Sequence, residues 1–66
     1  MVPYWLRPRL FFLEKNSSRV TVVKQAGTDR EVTGIYMDYD DDQIHVQVGP
    51  VVCSFDWRGV QNLIVP

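Results

Sequence analysis

Cysteine and histidine are almost missing from this chain: Cys53 and His45 are the only ones among its 66 residues. A single cysteine excludes an internal disulfide, and one cysteine with one histidine cannot close a tetrahedral zinc site. Long hydrophobic runs are lacking as well, so no membrane-spanning helix and no signal peptide is expected. Net charge is small, seven basic against eight acidic side chains for a formal −1, and the chain as a whole exerts no strong pull on nucleic acid. There are no repeats, low-complexity tracts or linkers, and the length allows one domain, residues 1–66. A chain this short buries only about 60% of its unfolded surface, and folds of this size add disulfides, a metal or association with further copies. With the first two excluded, association is the staple that remains. The unpaired thiol fits a reducing interior.

The charges that are present are sorted along the chain. Arg7, Arg9, Lys15, Arg19, Lys24 and Arg30 lie in the first half, whereas Asp38, Asp40, Asp41 and Asp42 crowd one short stretch. A basic region and an acidic region are expected, each of which reads first as a solvated face. Residues 1–16 form an apolar, aromatic segment broken by Pro3 and Pro8. Pro8 suits the first turn of a helix running through Leu10–Lys15 to Asn16, although Phe11-Phe12-Leu13 also reads as a strand. Tyr4, Trp5, Phe11 and Phe12 either cap the open end of the domain or form a partner-binding patch.

From Arg19 onward the pattern is that of strands, spanning residues 19–66. Val20–Lys24 is β-branched and ends at the turn Ala26–Asp29. Glu31–Tyr39 follows, with Val32, Gly34 and Tyr36 on one face, and Gly34 marks a bend or a close backbone approach. Ile44, Val46 and Val48 alternate with His45 and Gln47. Gly49-Pro50 turns the chain into Val51–Trp57, with Val51, Cys53, Phe55 and Trp57 on one side. Arg58-Gly59 makes a tight turn, and Gln61–Val65 is a short fifth strand. The fold class expected is all-β: a small, bent, antiparallel five-stranded, partly open SH3-like barrel with a short N-terminal helix.

Two motifs carry a likeness to a known family. Val20-Thr21-Val22, the turn at Gly27, and Gly34-Ile35-Tyr36-Met37-Asp38-Tyr39-Asp40 form the first, and Trp57-Arg58-Gly59-Val60-Gln61-Asn62-Leu63-Ile64-Val65 forms the second. In order and spacing they resemble the Sm/LSm family, the ring-forming RNA-binding proteins that include Hfq. The resemblance implies a homo-oligomeric ring of five to seven subunits, closed by pairing the fourth strand of one copy with the fifth of the next. Phe55, Trp57, Leu63, Ile64 and Val65 are the interface residues it implies. It also implies a site for single-stranded RNA at the ring lumen, with Gln43, Arg58, Gly59 and Asp40 in the matching places. This sequence departs from the family pattern there. The family's asparagine falls on Ile44 or on Gln43, depending on where the count starts, and the stacking aromatic falls on Asp41 or Asp42. Carboxylates repel phosphate, so the uridine pocket is not clearly retained. The short chain and these departures suit a phage or environmental bacterial member, and hence the cytoplasm of a bacterial or phage-infected cell.

Other constellations are weaker. Tyr36–Asp41 resembles the aspartate pairs of metal-dependent polymerases, but two-metal chemistry needs carboxylates from separate elements around a large cleft. Asp38-x-Asp40-x-Asp42 echoes a calcium loop, but Gln43 and Gly49 stand where an EF-hand needs glycine and glutamate. Cys53 sits mid-strand as a small apolar residue, and no nucleophile–base pair stands out. No cofactor and no enzymatic activity is expected. A protein–protein interaction module on the same barrel, such as a small phage regulator of a host protein, is the rival to the RNA-binding ring.

Overall fold

The structure, a computed structural model, describes residues 1–16 and 18–66. After a single 3-10 turn at Tyr4–Leu6, α1 runs Arg7–Asn16. Pro8 lies in its first turn, where its missing N–H breaks no helical bond, and the Asn16 amide closes the last turn by donating to Phe12 O at 2.9 Å. Leu6, Leu10 and Leu13 are spaced four and three apart, so they share one helix face, and all three are buried.

Five strands follow: β1 Arg19–Lys24, β2 Glu31–Tyr39, β3 Gln43–Val48, β4 Val51–Asp56 and β5 Val60–Ile64. They form one antiparallel sheet in the order β4-β3-β2-β1-β5. β2 is the pivot: its first half pairs with β1, Val20 opposite Gly34, and its second half pairs with β3, Tyr36 opposite Val46. Two devices bend it there. Gly34 lies so close to β3 that a Cβ would stand 2.6 Å from Val46 Cγ1 and collide with the Gln47 carbonyl. A bulge between Tyr36 and Asp38 leaves Met37 as the extra residue, and bulges increase local twist. The β3–β4 hairpin turns through Gly49 at φ 61°, a conformation glycine adopts without steric cost.

The bent sheet wraps one core in which Val20, Val22, Tyr36, Ile44, Val46, Val60 and Leu63 meet the helix leucines and Val2. Burial pushes the Tyr36 phenol up to about 12. β4 and β5 are the two edges and do not pair with each other, so the sheet is bent but not closed into a barrel. A 3-10 turn, Trp57–Gly59, carries the chain between them.

Two expectations need correction here. Trp57 does not end the fourth strand: Asp56 accepts a hydrogen bond from the Arg58 N–H and caps the 3-10 turn, which swings Trp57 into the core at 1% exposure. The side chains of Trp57 and Leu63 are both buried in the core, although Leu63 lies on the edge strand β5. Tyr4, Trp5, Phe11 and Phe12 do not cap the domain, since they are 77%, 54%, 60% and 36% exposed. The leucines and Val2 do that work.

Candidate functional site

The β2–β3 loop and the Trp57–Gly59 turn are brought together by Trp57. Its indole Nε1 donates to Asp40 O at 2.8 Å, and its backbone N–H donates to Asp42 O at 3.0 Å. The two motifs thus converge at one end of the sheet, with Asp40, Gln43, Arg58 and Gly59 grouped there. Asp40 organises the loop: its Oδ1 accepts from the backbone N–H groups of Asp42 and Gln43 at 2.8 and 2.9 Å. Those two donors hold its carboxyl below the usual carboxylate range, because they favour the charged form. Gln43 opens β3 on the outer sheet face, half-buried and opposite Asp56.

Arg58 is highly exposed, and its guanidinium is engaged by Asp56, with Nε–Oδ1 at 3.3 Å and Nη2–Oδ2 at 3.2 Å. The pairing pushes Arg58 further up, while its side chain and then its backbone N–H pull Asp56 down. An exposed pair of this kind contributes little to stability, but it means the one cation of the cluster is already matched. Asp41 and Asp42 make no ion pair among the described residues, and Asp40 has only the imidazole of His45 beside it. Gly59 has open space where a Cβ would stand, so close packing within the chain does not require glycine there.

Reasoning from the sequence missed a second cluster on the outer sheet face. His45 Nδ1 lies 2.8 Å from Ser54 Oγ, and its Nε2 lies 3.5 Å from Asp40 Oδ2 and 4.0 Å from Asp38 Oδ1. The signal was available: a tight turn at Gly49-Pro50 sets Val48 opposite Val51, and counting back puts His45 opposite Ser54. The bulge at Met37 then brings Asp38 opposite His45. The order hydroxyl–imidazole–carboxylate is that of a nucleophilic triad, but Ser54 and both carboxylates lie open to solvent. Such a triad works with an oxyanion hole and an enclosed substrate, and an open sheet face encloses nothing. Among the described residues, no group of three histidine, cysteine, aspartate or glutamate side chains is placed to hold a metal ion.

Comparison of the chain with protein-family models, with curated proteins and with solved structures finds no match. No helix among the described residues is long and apolar enough to cross a membrane.

Proposed function

We propose that the chain is the subunit of a ring-forming binding protein whose copies join by antiparallel pairing of one β4 with the next β5. The observation that carries this reading is the pair of open edges: β4 and β5 each have one bonded neighbour and one free side. Exposed apolar side chains mark both, Val51 and Val52 on β4 and Ile64 on β5. Unpaired apolar edges aggregate unless they are paired or protected, and one repeated head-to-tail contact that closes on itself leaves no edge free. Phe55 and Val65, half-buried against the core, stand next to that contact. Trp57 and Leu63 support it only from within the subunit.

Ile64→Pro is expected to break the assembly, because proline supplies no ladder donor and is excluded from the middle of a sheet. Light scattering should then report single subunits, with circular dichroism showing the strands retained. An Ile64→Pro assembly of undiminished mass rules out β5 as the joining edge.

The ligand end of such a ring is the convergence of Gln43 and Arg58, where single-stranded RNA is the proposed ligand. Carboxylates at Asp40, Asp41 and Asp42 oppose phosphate there, so binding at this end is weak, micromolar or poorer, and falls steeply with salt. Replacing Asp41 and Asp42 together by asparagine is expected to tighten binding of oligo-uridine, measured by fluorescence anisotropy. Equal affinity in parent and double variant removes RNA from this end and favours a protein partner.

A further inference from the structure

The exposed aromatic residues near the start of the chain belong neither to the core nor to the loop cluster. Tyr4 and Trp5 pack edge to face, with ring centroids 5.7 Å apart at 84°. Trp5 forms a shared wall of two surface hollows, of about 410 and about 450 Å³. Arg7 lines the first, together with Gln25 and Arg58, and Arg9 lines the second, together with Asn62. Neither Arg7 nor Arg9 has an ion-pair partner among the described residues. The fold does not require this surface to be aromatic, because Leu6 and Leu10 already fill the side facing the core.

We propose that Trp5 is a base-stacking platform for single-stranded nucleic acid, with Arg7 and Arg9 taking phosphates on either side of it. Every base has a flat face, so an exposed indole binds single strands with little regard to sequence, and flanking cations track the backbone. Charge complementarity points to an anionic strand: Trp5 shares one hollow with Arg7 and the other with Arg9, and neither arginine makes an ion pair among the described residues. The hollow beside Gln25 lies at the small end of ligand sites, which span roughly 300–1,000 Å³, a size suited to one base with its sugar.

A membrane surface fits less well, because interfacial helices segregate an apolar face from a basic one. Here the apolar face is buried in the core, and the exposed side chains interleave aromatic and basic residues, with Lys15 Nζ 4.6 Å over the Phe11 ring. The site shares its ligand class and the neighbouring Arg58 with the function proposed above, but it requires neither the ring nor the aspartates of the loop cluster.

The test is fluorescence anisotropy of labelled oligo-uridine and oligo-adenosine against the full chain, with native mass measured on every variant. Trp5→Ala is expected to weaken binding of both about tenfold or more, the range found when a stacking aromatic is removed, and Trp5→Phe to restore most of it. Arg7→Ala with Arg9→Ala should lower the slope of log affinity against log salt by about 1.4, two phosphate contacts on a single strand. Native mass should not change in any of them, which separates this site from the assembly. The proposal is overturned if Trp5→Ala binds within twofold of the parent, or if the parent binds neither oligonucleotide. It is equally overturned if poly-glutamate displaces the oligonucleotide as well as unlabelled oligo-uridine does, or if anionic vesicles bind and the oligonucleotides do not.

Discussion

Gly34→Val is expected to lower the melting temperature by more than about 10 °C. The valine Cβ would stand 2.6 Å from Val46 Cγ1 and press on the backbone carbonyl of Gln47. The side chain can turn aside, but the backbone oxygen belongs to the β2–β3 ladder and cannot move without breaking it. Overpacking typically costs about 1–3 kcal/mol, and a collision with backbone belongs at the upper end. In a domain of this size each kcal/mol shifts the midpoint by roughly 4–8 °C. Gly34→Ala should lie between parent and valine variant, since the first carbon already collides. A thermal melt of Gly34→Val that superimposes on the parent's contradicts the close approach of β2 to β3.

Trp57→Ala is expected to lose still more, about 3–5 kcal/mol, the usual cost of deleting a buried tryptophan. Chains of this length have total stabilities of roughly 3–10 kcal/mol, so a large unfolded fraction at room temperature is the expected result. Three interactions go at once: the ring in the core, its edge-to-face contact with Tyr39 at 6.1 Å, and the hydrogen bond to Asp40 O. Trp57→Phe separates them. It keeps an aromatic ring but leaves the Asp40 carbonyl without its donor, a loss of about 1–2 kcal/mol. Urea denaturation measures both, and a Trp57→Ala midpoint close to the parent's means that Trp57 does not tie the two loops together.

Much of the strand plan was legible because alternation and turns agree. Ile44, Val46 and Val48 face the core as their period of two requires, and Gly34 marks the bend. The misreadings have physical causes. The alternation of Val51, Cys53 and Phe55 invited Trp57 to continue the strand, but Asp56 is a good N-cap and starts a 3-10 turn instead. Phe11 and Phe12 look like core by hydrophobicity alone. Helix geometry allows Leu6, Leu10 and Leu13 to share one face, which leaves positions 11 and 12 turned away from it. The bulge at Met37 has no signature in composition, and without it the pairing of Asp38 with His45 cannot be read. The grouping of Gln43 with Arg58 was suggested by the family motifs. The matching of Arg58 to Asp56 was not, because it depends on the 3-10 turn that the strand pattern concealed. Trp5 was flagged only as part of an aromatic segment; that it shares one hollow with Arg7 and another with Arg9 depends on the 3-10 turn ahead of α1.

The native mass of the unmodified protein tests the pairing of β4 with β5 most directly. Multi-angle light scattering at micromolar concentration is expected to give five to seven times the subunit mass of 7.7 kDa, and a single species at 7.7 kDa would contradict the ring.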